Sequence, residues 1–295
     1  MKSVVPLVGV LIGFLGTSAV AQTTVPTSVD AKLVLDAAGP QQRKSLNAIY
    51  LIACPDVGFG SGFLLETGTM VTNSHVVATC TEKNLLGIST ANKTVKFSRV
   101  IKDTNRDLAL LIPTETLNNG LKLSSESNPA PPGTPVTTWG YPFGYNGTSP
   151  LLSVGYVSGF REAPSDDGKG KLVKHIVVNG AFNHGNSGGP LLIAQDNQVI
   201  GVVVLTYNFY PAGLKRLIDQ LSAQKSGLQW TFTQPDGSKQ NVSEAQITAA
   251  ILDEFYQKTQ VMIGEAIAAS EVAATLKEHA SELPSPPSTA ITKKK

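Results

Sequence analysis

The sequence predicts an all-β protein of two packed six-stranded β-barrels with an added C-terminal helical segment. Three observations lead there. Hydrophobic residues make up 41% of the 295 positions, enough for a sizeable core, whereas charged residues reach only 16% and 27 Gly with 18 Pro interrupt the chain often. Two successive sets of short apolar or alternating runs are bounded by Gly, Asn, Asp or Pro, which are strand signals. Between the sets lies Asn128-Pro-Ala-Pro-Pro-Gly-Thr-Pro135, too proline-rich for a central strand and read as a connector.

Residues 1–21 read as an export signal, with Lys2 as the positive start, an apolar stretch from Val4 to Leu15 and a small-residue cleavage site at Ala19-Val20-Ala21. An uncleaved membrane anchor is the alternative. No later run approaches the roughly 18 apolar residues of a spanning helix, so no stable membrane insertion is expected after cleavage, and the protein is expected in the periplasm or secreted. Residues 22–44 form an N-terminal segment. The first barrel is expected over 45–127, from runs at Ser45–Ala53, Gly62–Leu65, Met70–Val71, Val95–Val100 and Leu108–Ile112. The second is expected over 135–210, from Pro135–Trp139, Leu151–Phe160, Leu172–Val178, Leu191–Ala194 and Gln198–Thr206.

A helix over 212–225 sets Leu214, Leu217, Ile218 and Leu221 on one face, the pattern of a helix packed against a barrel, and closes a unit spanning 45–225. A hairpin at 226–242 is suggested by Trp230–Phe232 and a Pro235-Asp236-Gly237 turn. Ser243-Glu-Ala-Gln246 has the form of a capping box opening an Ala-rich helical extension over 243–283. Its apolar stripe, including Ile251, Phe255 and Leu276, either packs on the barrels or mediates contact with a second copy or a partner. Residues 284–295 read as a disordered tail.

Formal net charge is +2, with three lysines at the very end, so the folded body carries no basic stripe and nucleic-acid binding is not expected. Cys54 and Cys80 are the two cysteines, and in an oxidising compartment an even count reads as a disulfide, with two buried thiols as the alternative.

The strongest chemical signal is Gly185-Asn186-Ser187-Gly188-Gly189-Pro190 between two strand-like runs. A nucleophilic serine needs an exposed hydroxyl and backbone N–H groups aimed where negative charge develops, and glycines let the chain turn that tightly. An oxyanion hole is therefore expected over Gly185, Asn186 and Ser187, with Gly185 and Ser187 as donors. Serine alone is a weak nucleophile, so a base is required. Of four histidines His75 is preferred, because it follows two strand ends where a loop residue can face an inter-barrel cleft. His184 is a nearer rival in sequence, its ring more suited to lining the cleft, while His175 and His279 sit in strand and helix patterns. Asp107, at the start of an apolar strand, is expected to hold the tautomer of His75. Asp103 is set aside because it sits in the polar turn.

The order His75, Asp107, Ser187 with these flanks resembles the trypsin-like (chymotrypsin-fold) serine peptidases, and among them the bacterial HtrA (Deg) type. Gly60-Ser-Gly-Phe63, Thr72-Asn-Ser-His-Val-Val77, Arg106-Asp-Leu-Ala-Leu-Leu111, Gly140-Tyr-Pro-Phe-Gly144, Ser153-Val-Gly-Tyr-Val-Ser158 and Gly185-Asn-Ser-Gly-Gly-Pro190 carry the resemblance, over roughly Ser45 to Leu221. It implies a chymotrypsin-like fold, peptide-bond hydrolysis of polypeptide substrates through an acyl-enzyme, and no metal or organic cofactor. It also implies a primary pocket lined by Asn179, Ala181, His184, Val204, Leu205 and Thr206, with no Asp to attract Lys or Arg and a preference for small or medium apolar residues. A disulfide tying the strand before His75 to the loop after it fits Cys54 and Cys80. Asn186 stands where digestive relatives place an Asp that pairs with a new N-terminus, so control by ordering of the Phe160–Lys171 loop is expected instead. The residues after Pro211 read as Ala-rich helix, not as the PDZ domain common in HtrA proteins. The competing classes are a silent protease fold used as a binding module, and a lipase or esterase, in which the serine would precede the histidine.

Overall fold

In a computed structural model of the chain, residues 25–55, 58–125, 130–142, 145, 148–165, 172–180, 182, 185–206, 212–233, 238–258 and 262–284 are described. The expected signal segment, its cleavage site and residues 285–295 lie outside them, as do Ala181, His184 and loop residues 166–171. Two closed antiparallel barrels of six strands each form the main unit, residues 24–207 with 262–295.

The first barrel is built from β1 (Ile49–Cys54), β2 (Gly58–Leu64), β3 (Met70–Thr72), β4 (Leu86–Ser89), β5 (Thr94–Asp103) and β6 (Leu108–Pro113), in the order β1-β2-β3-β6-β5-β4. One of its buried clusters gathers Tyr50, Ile52, Leu64, Met70, Val77, Phe97 and Leu111. Cys54 and Cys80 join as a disulfide, their Cα atoms 6.0 Å apart, next to that cluster. Closing a loop with a sequence separation of 26 stabilises by about 3–4 kcal/mol through lost unfolded-state freedom.

β7 (Pro135–Gly140), β8 (Leu151–Pro164), β9 (Leu172–Asn179), β10 (Pro190–Ile193) and β11 (Val199–Thr206) supply five strands of the second barrel. The sixth comes from much later. It is β14 (Gly264–Ala268), which pairs with β11 on one side and β9 on the other. This corrects the expected domain boundaries: residues 264–268 lie inside the segment expected to be helix, and the second barrel does not end at 210. The alanines suggested helix, but small residues are what a crowded barrel position requires. A Cβ on Gly264 would lie 2.2 Å from the Phe182 ring, and Ala266 is fully buried beside Ile176 and Val178. Local propensity yields here to pairing on both edges.

Between β11 and β14 the chain forms a second compact unit, residues 208–261. Helix α3 (Ala212–Ala223), the hairpin β12 (Gln229–Thr233) with β13 (Lys239–Ser243), and helix α4 (Glu244–Lys258) compose it. The helix expected at 212–225 falls in the same compact unit as the hairpin. Ile218, Val242 and Ala249 are its buried apolar residues among those described, while Leu217, Trp230, Ile251 and Phe255 stand exposed. The capping box closes as expected: the Ser243 hydroxyl accepts from Gln246 N at 3.2 Å, and Ser243 N donates to Gln246 Oε1 at 3.0 Å.

Two short helices, α1 (Lys32–Ala37) and α2 (Pro40–Leu46), precede the first barrel. Helix α2 also fastens the second, since Gln41 Nε2 donates to the Ala194 carbonyl and the Gln41 carbonyl accepts from Asn197 Nδ2 at 2.7 Å. After β14 comes α5 (Ala269–Glu278), whose Val272 joins the shared core with Phe63, Trp139, Leu192 and Ile267. Among the described residues no helix is long and apolar enough to cross a membrane, and the sheets described after residue 211 are β12 with β13 and the barrel strand β14.

Candidate active site

His75 opens a single turn of 3-10 helix just past the end of β3, where a side chain can leave the ladder. Its ring is half exposed, with Nδ1 2.7 Å from Asp107 Oδ2. Asp107 holds the same turn through its backbone as well. Its Oδ1 accepts from His75 N at 2.9 Å, and its carbonyl accepts from Asn73 Nδ2 at 2.9 Å and from Ser74 N at 3.2 Å. Asp107 has φ 53, in the left-handed region that side-chain-bearing residues rarely adopt. So many bonds on one residue, at the first step into β6, fix the carboxylate relative to the imidazole.

Ser187 reaches this turn through the strands behind it. Its carbonyl accepts from Ser61 N at 2.9 Å. A Cβ on Gly60 would lie 3.1 Å from that carbonyl and 2.8 Å from the Val76 side chain, so Gly60 is wedged between the serine loop and the neighbour of His75. Gly188 has φ 86, and a Cβ there would fall 2.1 Å from the Ser61 carbonyl and 3.2 Å from Asn73 N. Only glycine allows that approach. The loop bearing the serine is thereby pressed against the turn bearing the histidine.

The serine hydroxyl donates to the Val204 carbonyl at 3.2 Å. That carbonyl is free because β11 carries a bulge: Val203 pairs with Ala266 and Leu205 with Glu265, which leaves Val204 outside the ladder. The Ser61 hydroxyl donates to the Gly185 carbonyl at 2.7 Å and accepts from Tyr141 N at 3.1 Å, pinning the loop ahead of the serine. Among the described residues, no acceptor engages the N–H of Gly185 or of Ser187. Asn186 is buried, its Oδ1 facing Gly140 so closely that a Cβ there would sit 2.6 Å away.

Of the other expected site residues, Asn179 lies at the end of β9, where its Oδ1 accepts from Tyr156 N at 2.7 Å. The backbone of Leu205 and Thr206 continues β11 past Val204. Ala181 and His184 fall outside the described residues. His175 lies on β9 with Nδ1 3.1 Å from Glu265, and His279 follows α5, so neither approaches the turn of His75 by any bond. No group of three or more His, Cys, Asp or Glu that could hold a metal occurs among the described residues.

Sequence reasoning missed Arg106 and misjudged Asp103. Asp103 ends β5 and is buried, where the sequence had set it in the polar turn. Burial works against its charge, yet hydrogen bonds from Thr275 and Arg106 hold its carboxyl below the ordinary value. The signal that could have found the pair is the Asp-x-x-Arg spacing at the mouth of a strand, which has no meaning without the distant helix it meets.

Residues 60–202 match the trypsin-like peptidase domain family. A chloroplastic Do-like 5 protease of Arabidopsis thaliana is 35% identical over 170 residues, covering 53% of this chain and 51% of its own. A DegP-like protein of Rickettsia conorii, named as a periplasmic serine endoprotease, is 36% identical over 149 residues, covering 50% of this chain and 28% of its own. The chain therefore spans about half or less of these relatives' length. Among solved structures, the active form of the Rv3671c protease of M. tuberculosis superposes with a TM-score of 0.55 at 20% identity, over 90% of this chain and 93% of the other, a likeness of fold. Residues 60–202 thus match the trypsin-like peptidase domain family and are similar to proteases of the HtrA/Do type.

Proposed function

We propose that this chain is an exported serine endopeptidase in which Ser187, His75 and Asp107 act as a catalytic triad. The observation that carries the reading is the 2.7 Å His75–Asp107 pair lying against a glycine-moulded loop that presents Ser187. Nucleophile, base and orienter are then in the roles of the general serine-protease template.

In this reading the Ser187 hydroxyl leaves the Val204 carbonyl by rotation about its side-chain bond and gives its proton to His75 Nε2 as it attacks the scissile carbonyl. Asp107 accepts from His75 Nδ1–H, which fixes the tautomer that leaves Nε2 as the base and stabilises the imidazolium. The oxyanion forms opposite the N–H groups of Gly185 and Ser187, with Asn186 between them, and each such donor is worth about 3 kcal/mol in the transition state. His75 then protonates the departing amine, and water resolves the acyl-enzyme by the same route reversed. The chemistry needs no metal or organic cofactor. Asn179, Ala181, His184, Val204, Leu205 and Thr206 border the primary pocket, which favours a small or medium apolar side chain. Export to the periplasm or beyond is supported by the apolar leader and the disulfide. The unit at 208–261 and the apolar residues it exposes are where a second copy or a partner would attach.

Hydrolysis of unfolded casein and of a peptide library tests the reading. Wild-type protein should cleave both, and Ser187→Ala should lower the rate at least 10³-fold. Cleavage surviving in Ser187→Ala would reject the triad, and absence of cleavage with either substrate would favour a silent binding module.

A further inference from the structure

Arg106 immediately precedes Asp107, and its side chain is only 3% exposed. Three carboxylates surround it. Its Nη1 donates to Asp103 Oδ2 at 2.6 Å and to Glu278 Oε2 at 2.9 Å, its Nη2 to Glu278 Oε1 at 2.7 Å, and its Nε to Glu271 Oε2 at 3.1 Å. The Thr275 hydroxyl donates to the same Asp103 oxygen at 2.7 Å. Glu271, Thr275 and Glu278 all belong to α5, and Glu271 Oε1 also accepts from Lys174 N on β9 at 3.3 Å. One helix therefore ties a strand of the second barrel to the turn that carries Asp107 in the first.

That turn needs a restraint of this kind. Asp107 sits at positive φ, a conformation that persists only when its surroundings over-determine it. On its far side Leu108 is fully buried, and on its near side the Arg106 fork is locked by paired, directional bonds. Glu278 leads the interactions that hold the Arg106 guanidinium above its ordinary value, so the fork stays charged at any working pH.

We infer that α5, through Glu271, Thr275 and Glu278 gripping Arg106 and Asp103, is a positioning element that sets the backbone of Asp107 for its bond to His75. The inference rests on the triad reading for its kinetic consequence and on geometry alone for its structural one. Misplacing a catalytic group by about 1 Å costs on the order of 10²-fold, and partial loosening should cost less.

The test uses full-length protein carrying Thr275→Val with Glu278→Gln, checked for wild-type far-UV circular dichroism. On a cleaved peptide, kcat should fall about 10-fold with KM within about twofold. Added to Asp107→Asn, the same pair should change the residual kcat less than about twofold, because the group it positions is already gone. An equal fall in both backgrounds would mark a general structural effect and overturn the inference, as would an unchanged kcat. A second readout needs no substrate: the proton shared by His75 Nδ1 and Asp107 should give a far-downfield NMR resonance in wild type, lost in the Thr275→Val, Glu278→Gln protein. Its persistence there would overturn the positioning role even if the peptidase reading failed, whereas cleavage by Ser187→Ala would overturn the peptidase reading alone.

Discussion

The two barrels have the same strand count and closure but different chain economies. Barrel one takes its six strands from a continuous stretch, Ile49 to Pro113, whereas barrel two takes five from Pro135 to Thr206 and its sixth only at Gly264. The first can complete its ladder without leaving that stretch. The second stays open along β9 and β11 until the chain has passed through residues 208–261. The lesson is that an insertion can be long where the two strands it separates are themselves partners: Thr206 pairs with Gly264, so the detour starts and ends at one point of the barrel. Loop-closure cost grows only slowly with length, which lets such a detour persist.

The largest effect should come from breaking barrel two at this seam. Truncation after Val261 removes β14 and α5, exposing the edges of β9 and β11 and the core face of Phe182; we expect loss of cooperative thermal unfolding by circular dichroism. Excision of 208–261 with a short Gly/Ser link should instead keep a cooperative transition. A cooperative melt of the truncated protein would show that β14 is dispensable and the contrast between the barrels is mistaken.

Much of this contrast was hidden from sequence. Barrel one was legible because apolar runs such as Leu108–Ile112 end at recognisable turns, although β4 (Leu86–Ser89) is too short to stand out. The triad candidates were legible because their flanking glycines and strand ends have few other uses. β14 was not, since Gly-Glu-Ala-Ile-Ala reads as helix until β9 and β11 are known to flank it. Arg106 was not, since its partners Glu271 and Glu278 lie far along the chain and no local pattern links them.

A smaller effect should be confined to barrel one. Cys54→Ser with Cys80→Ser removes its cross-link and should lower unfolding free energy by about 3–4 kcal/mol in urea titration, without changing which strands pair. A loss under about 1 kcal/mol would mean that the closed ladder alone restrains the loop through His75.

The smallest concerns the tie between the barrels. Asp103 has a folded-state value below its ordinary 3.8, so its stabilising contribution is complete above that value and is lost as pH falls through the lower folded one. Asp103→Asn should therefore flatten the dependence of unfolding free energy on pH below about 4. An unchanged acid slope would place that dependence on other carboxylates.

The most direct measurement of the central claim is mass spectrometry of the intact protein after treatment with a fluorophosphonate. If Ser187 is activated by a histidine that Asp107 orients, one adduct should form, map to Ser187, and fail to form in His75→Ala. Equal labelling of the His75→Ala protein, or an adduct on a different serine, would contradict it.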